Sequence, residues 1–139
     1  RARIKAMANM GDCPTLMLNA PVPAAKKVLE KAGLTTDDID VFEINEAFAT
    51  QVQACLNAWQ DDTYCKQELG LDGPFSAIDE QRLNVDGGGV ALGHPVGASG
   101  ARIVLHALKT LQRTAQKRAI ASLCIGGGQG GAMLIERDA

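Results

Sequence analysis

Aromatic side chains are scarce in this sequence, with one Trp, one Tyr and three Phe among 139 residues. Lys and Arg are scattered and the net charge is −2, so there is neither a base-stacking platform nor a phosphate-tracking basic stripe, and no nucleic-acid partner is expected. No apolar run approaches the roughly 18 residues that a membrane-spanning helix needs, and the amino end lacks the charged-then-apolar order of a secretion signal. A soluble intracellular protein is therefore expected, cytoplasmic in a bacterium or in an organelle matrix in a eukaryote. Cys13, Cys55, Cys65 and Cys124 form no C-x-x-C pair and lie far in sequence from His94 and His106. Neither a metal site nor a disulfide framework is expected from them. An initiating Met is also missing: Arg1 leads directly into the strand-like run Arg3-Ile4-Lys5-Ala6-Met7-Ala8, which suggests a piece cut from a longer chain.

With 46% apolar and 22% charged residues, the chain can bury one ordinary core, and a single domain over 1–139 is expected. After Pro21 and Pro23, the stretch Ala24 to Ala32 reads as a helix with Gly33 at its end. Val41-Phe42-Glu43-Ile44 reads as a short strand running into Asn45, and from Glu46 the positions Phe48, Val52, Cys55, Leu56 and Trp59 carry helical spacing. The polar stretch 61–82, with Gly70, Gly73 and Pro74, reads as a surface insertion. Asn84-Val85-Asp86 and a glycine-rich run to Gly100 follow. Ile103, Val104, Ala107, Leu108 and Leu111 then mark another helix, with Ser99 as its expected cap and His106 on its outer face. Ala119 to Ile125 and Ala132 to Glu136 are too close for a helical crossover and predict an antiparallel hairpin. The resulting order is βαβαβαββ, an α/β fold whose mixed five-stranded sheet packs on helices and has one antiparallel edge.

In such sheets reactive groups gather beyond the carboxyl ends of strands. Asn45 follows one strand, His94 lies in the turn Leu92-Gly93-His94-Pro95-Val96-Gly97 before a helix, and Cys124 closes another strand before five glycines in six residues. Singly, each has a plainer reading: Asn45 as a helix cap, His94 as a loop residue bonded to backbone, Cys124 as an inert small hydrophobe. The glycine tract favours chemistry, because residues without side chains let a ligand approach and free N–H groups to face an anionic oxygen. Gly126, Gly128 and Gly131 do spell G-x-G-x-x-G, but the fingerprint requires a helix next, and Ala132-Met133-Leu134-Ile135 is a strand. The Gly87 to Gly100 run has no Gly-Lys-Ser/Thr. NAD and ATP are both disfavoured, and no cofactor is expected.

Three motifs in order, Asn45-Glu46-Ala47-Phe48, Gly93-His94-Pro95 with Gly97-Ala98-Ser99-Gly100-Ala101-Arg102, and Cys124-Ile125-Gly126-Gly127-Gly128-Gln129-Gly130, resemble the thiolases. Pro21-Val22-Pro23-Ala24 and Lys31-Ala32-Gly33-Leu34 extend the similarity over all but the 61–82 stretch. The resemblance implies the carboxy-terminal half of an acyl-CoA acyltransferase that condenses acetyl-CoA or thiolyses 3-oxoacyl-CoA, with coenzyme A thioesters as substrates. It implies that Cys124 is the acid/base and that His94 activates a nucleophilic cysteine. His94 also shares one oxyanion hole with a water held by Asn45, and the Gly126 N–H serves a second. Ala47 and Phe48 would line the substrate pocket. The amino-terminal half, which carries the nucleophile, has no counterpart in this sequence, and it is the implied partner, together with further copies of the complete enzyme in a homo-oligomer. Ala20 stands where the family pattern has glycine, which puts the conformation of that loop in question. The alternative is a non-catalytic module that binds CoA thioesters or lipid, or serves assembly.

Overall fold

In the computed structural model, which describes residues 1–138, β1 (Ala2–Gly11) leads into α1 (Pro21–Ala32), and β2 (Val41–Ile44) into α2 (Ala49–Gln60). The short α3 (Asp62–Gln67) and α4 (Gly89–Leu92) precede α5 (Ser99–Thr114), β3 (Arg118–Gly126) and β4 (Gln129–Arg137). Proline is tolerated in a helix's first turn, where its missing N–H has no intrahelical partner, so α1 begins at Pro21, earlier than the apolar spacing indicates. It ends at Gly33, whose φ of +65° lets its N–H turn back to Glu30 O and Leu29 O. Ala20 is fully buried with φ −59° and ψ −21°, a helical conformation open to any residue, so its replacement of glycine leaves the loop unstrained.

The strand order is β1-β4-β3-β2, with β1–β4 and β3–β4 antiparallel and β2–β3 parallel. The α/β class and the hairpin are as the sequence predicts, with one correction, to the strand count. The sheet has four strands among the described residues, not five, because the 84–86 segment forms no ladder; beside it, Leu83 makes a single parallel bridge to Phe42. Asn84 explains why. Its Oδ1 accepts from Ile44 N and its Nδ2 donates to Ile44 O, both at 2.9 Å, so a side-chain amide satisfies the outer edge of β2 in place of a strand. The one antiparallel edge is present as well: it is β1, which returns to cover β4, while β2 forms the parallel edge.

Side-chain alternation along the strands gives the sheet two apolar faces. Phe42, Ile44, Ile120 and Leu134 pack with Val28, Leu29, Cys55 and Trp59 of α1 and α2. Val41, Ala119 and Ile135 pack with Ala107 and Leu111 of α5. The segment 61–82 is not merely surface: Cys65, Leu69 and Ile78 are buried in the first of these clusters, and the Phe75 ring lies 6.0 Å from that of Trp59. Helix α2 starts later than expected, with Phe48 extended at its amino cap and 59% exposed, whereas Gln51, Cys55 and Trp59 face inward. At α5 the cap position falls on Ala98, with no side-chain cap; Ser99 is the first helical residue.

Candidate active site at the end of the sheet

Asn45 is the first residue beyond β2 and is held by its own backbone, whose N–H donates to Ser122 O of β3 at 2.9 Å. It is buried, and its Nδ2 lies 3.4 Å from Nε2 of His94. Its Oδ1 is also buried and has no partner. A buried amide oxygen is costly unless it accepts a bond, so this acceptor is suited to a water or a ligand donor. Asn45 is not a helix cap, since α2 begins only at Ala49.

His94 is half-buried in the loop between α4 and α5, after Gly93, whose φ of +85° only glycine adopts readily. The loop is drawn toward α5 by Arg102, whose guanidinium donates to Gly93 O at 2.8 Å. Nδ1 of His94 sits 2.6 Å from Oγ of Ser99, and that hydroxyl also reaches Pro95 O at 3.2 Å. A carbonyl can only accept, so the one hydroxyl proton goes to Pro95, and Ser99 must accept its other bond from Nδ1–H of His94. This assignment leaves the neutral ring's proton on Nδ1 and a lone pair on Nε2, toward which the Asn45 amide donates. A histidine so fixed is arranged to take a proton at Nε2. Ser99 is fully buried; its part here escapes a reading that treats it as a cap.

Cys124 is buried near the end of β3, opposite Gly130 of β4. The last β2–β3 pair is Ile44 with Ser122, so Asn45 and Cys124 both lie beyond it, at the same end of the sheet. Alternation puts Cys124 on the face shared by Ile120 and α1, whereas the His94 loop leads into α5 on the other face. The structure thus brings Asn45 and His94 into contact, and among the described residues no side-chain hydrogen bond joins Cys124 to either. Burial pushes the Cys124 thiol up from its ordinary value, outweighing the lowering effect of its own backbone N–H. Burial thereby favours the neutral thiol over the thiolate.

The glycine tract divides into two parts. A Cβ at Gly126 or Gly127 would meet nothing within 4 Å, so close packing requires neither glycine. At Gly128 it would fall 2.6 Å from Asp12 O, and at Gly130 2.6 Å from the Ala20 carbonyl carbon, so those two glycines serve close packing of the chain against itself. Ala47 is half-buried, while Phe48 projects outward beside it. A cavity of about 170 Å³ adjoins Asn45 and is lined by Glu43, Glu46, Arg102 and His106. His106 is half-buried there rather than on an outer face, its Nδ1 2.8 Å from Glu43 and its Nε2 2.9 Å from Asp86. A larger apolar cavity of about 500 Å³, between the 12–20 loop and α2, is lined by Leu16, Leu18, Gln51 and Ala54 but by none of Asn45, His94 and Cys124.

Asn45 and His94 thus meet at the sheet end where β3 also carries Cys124. Residues 1–137 match the family described as "Thiolase, C-terminal domain", and the chain belongs to that family. It is 45% identical over 137 residues to a 3-ketoacyl-CoA thiolase of Aliivibrio salmonicida (strain LFI1238), covering 99% of this chain and 32% of that protein. It is 48% identical over 137 residues to a beta-ketoadipyl-CoA thiolase of Acinetobacter baylyi (strain ATCC 33305 / BD413 / ADP1), covering 99% of this chain and 30% of that protein. The crystal structure of human mitochondrial 3-ketoacyl-CoA thiolase superposes with a TM-score of 0.81 at 42% identity, over 99% of this chain and 31% of that one. The chain therefore spans about a third of the length of the relatives it matches.

Proposed function

We propose that this chain is the carboxy-terminal catalytic half of an acyl-CoA acyltransferase. It would work on an acyl group carried by a nucleophilic cysteine that lies outside this sequence, in either Claisen condensation of acetyl-CoA or thiolysis of 3-oxoacyl-CoA. The observation that carries this reading is the Ser99–His94–Asn45 chain, in which Ser99 keeps the ring proton on Nδ1 and the Nε2 lone pair, facing the Asn45 amide, is the proton acceptor. Taking the nucleophile's proton converts Nε2 from acceptor to donor. His94 can then donate to a thioester oxygen together with a water on Asn45 Oδ1, forming an oxyanion hole whose dipoles are already oriented.

Cys124 serves as the acid/base. In thiolysis its thiol gives a proton to the carbanion released when the carbon–carbon bond breaks; in condensation its thiolate removes the α-proton of acetyl-CoA. The Gly126 N–H stabilises the oxyanion at the acylated nucleophile, at a position where a Cβ would meet nothing within 4 Å. Ala47 and Phe48 line the substrate channel. No cofactor takes part, and coenzyme A thioesters are the substrates.

The partner is the remainder of the enzyme, within a homo-oligomer. Met7, Phe48, Leu92, Val96 and Ile125 are all more than half exposed, apolar surface that the remainder of the enzyme and its further copies would cover. No described helix is long and apolar enough to cross a membrane, which accords with a cytoplasmic or organelle-matrix enzyme.

The test is turnover of acetoacetyl-CoA by the complete enzyme. Cys124→Ser and His94→Ala are each expected to lose roughly a hundredfold or more in kcat. Unchanged turnover in both would refute the assignment.

A further inference from the structure

Glu46 stands inside the Asn45-Glu46-Ala47-Phe48 motif, yet the chemistry above uses none of its atoms. Its carboxylate reaches two different segments: Oε1 accepts from Asn84 Nδ2 and Oε2 from the backbone N–H of Val90, both at 3.0 Å. Asn84 is itself clasped to Ile44 through both ends of its amide, so this arm of Glu46 is anchored to the strand end that presents Asn45. Val90 lies in the first turn of α4, which closes when Gly93 N donates to Gly89 O at 2.8 Å, and the next residue is His94. The other arm therefore holds the loop that presents the imidazole.

That loop lies flat on Glu46. A Cβ at Gly88 would stand 2.8 Å from the Glu46 carboxyl carbon, and one at Gly89 would stand 2.6 Å from the Glu46 carbonyl oxygen. Gly88 thus leaves room for the Glu46 side chain, and Gly89 for its backbone carbonyl. By contrast, the Asn45–His94 contact is 3.4 Å long, at the weak end of the hydrogen-bond range. It cannot by itself fix two segments that are remote in sequence, whereas two bonds to a carboxylate can. We propose that Glu46 is a positioning residue that sets His94 against Asn45, an inference that rests on the acyl-transfer reading of this site.

A carboxylate accepts at both oxygens, whereas a glutamine offers one acceptor and one NH2 that would oppose either Val90 N–H or the Asn84 amide donor. In the complete enzyme, with acetoacetyl-CoA as substrate, Glu46→Ala is expected to lower kcat roughly tenfold to a hundredfold, the cost of a small misplacement of a catalytic group. KM should stay within about twofold, since ground-state binding is untouched. Glu46→Gln should fall between, keeping one of the two bonds. In an Asn45→Ala background, Glu46→Ala should cost much less than in the wild type, because the pair it aligns is already gone.

Wild-type kcat in both Glu46 variants would overturn the proposal, as would equal losses in the two backgrounds, which indicate general destabilisation. If Glu46→Ala does not fold, the near-isosteric Glu46→Gln carries the same comparison. His94→Ala and Asn45→Ala keep the two failures apart. If both retain full turnover, the acyl-transfer reading itself is wrong; if they lose activity while the Glu46 variants do not, only the positioning role is.

Discussion

Ser99 Oγ lies 2.6 Å from Nδ1 of His94 while donating its proton to Pro95 O, and that one relationship decides which imidazole nitrogen is the base. Replacing Ser99 by Ala removes the acceptor and frees the ring to change tautomer. The base survives but is no longer oriented, so kcat of the complete enzyme should fall roughly tenfold to a hundredfold, less than on removal of the ring. Ser99→Thr, which retains the hydroxyl, should recover part of the loss. Steady-state kinetics of the two variants check this, and equal activity in both would remove Ser99 from the account.

Cys13, Cys55 and Cys124 should differ sharply in reactivity. Cys13 is exposed, and N–H groups of Leu16 and Thr15 hold its thiol below the ordinary value. Burial pushes Cys55 up to about 12 and raises Cys124. Since the thiolate is the nucleophile, iodoacetamide at neutral pH should label Cys13 first, Cys124 slowly and increasingly with rising pH, and Cys55 only on unfolding. Peptide mapping against time provides the order.

Glu43 and Asp86 should shift stability with pH in opposite directions. Burial lifts the Glu43 carboxyl above the ordinary range, with His106 opposing and the Asp86 and Glu46 carboxylates adding to the rise. The folded state then binds that proton more tightly than the unfolded chain. Its stabilising contribution is present at low pH and is lost as pH rises through the folded value. Asp86, bonded to Arg113 and His106, is held below the ordinary range; its contribution is present above that range and is lost on acidification. Urea unfolding across pH should therefore show Glu43→Gln gaining on the wild type as pH rises from the acid side, and Asp86→Asn gaining as pH falls.

Gly130→Ala should destabilise the fold, because the new methyl would lie 2.6 Å from the Ala20 carbonyl carbon at the start of α1. Backbone on both sides cannot yield cheaply, and a loss of about 1–3 kcal/mol is expected from such overpacking. Gly97→Ala, which meets nothing within 4 Å, should be close to neutral. Denaturant midpoints of the two variants make the comparison.

Local signals in the sequence went far. The two Gly-separated apolar runs from Ala119 predict the β3–β4 hairpin because no helix fits between them, and Gly33 marks the end of α1, whose start at Pro21 reads instead as loop. Asn45, His94 and Cys124 stand out because each follows an element end near glycine. What local signals could not show is replacement of one kind of bond by another. The Asn84 side chain substitutes for a fifth strand, and Ser99 turns from the expected cap into the partner of His94. Neither leaves a periodic trace. Segment 61–82 hides its core residues for a similar reason: Cys65, Leu69 and Ile78 are buried but too irregularly spaced to form an apolar face. The position of β1 was equally illegible, since nothing local to Ala2–Gly11 says that it pairs with a strand at the far end of the chain.

As proposed, this chain supplies a proton-handling site to an acyl enzyme whose nucleophile lies elsewhere. The most direct test is to quench the complete enzyme during turnover of acetoacetyl-CoA and map the covalent acetyl group by peptide mass spectrometry. The adduct should fall on a cysteine outside residues 1–139 and should diminish strongly in His94→Ala. An acetyl group on Cys13, Cys55, Cys65 or Cys124 would contradict the account.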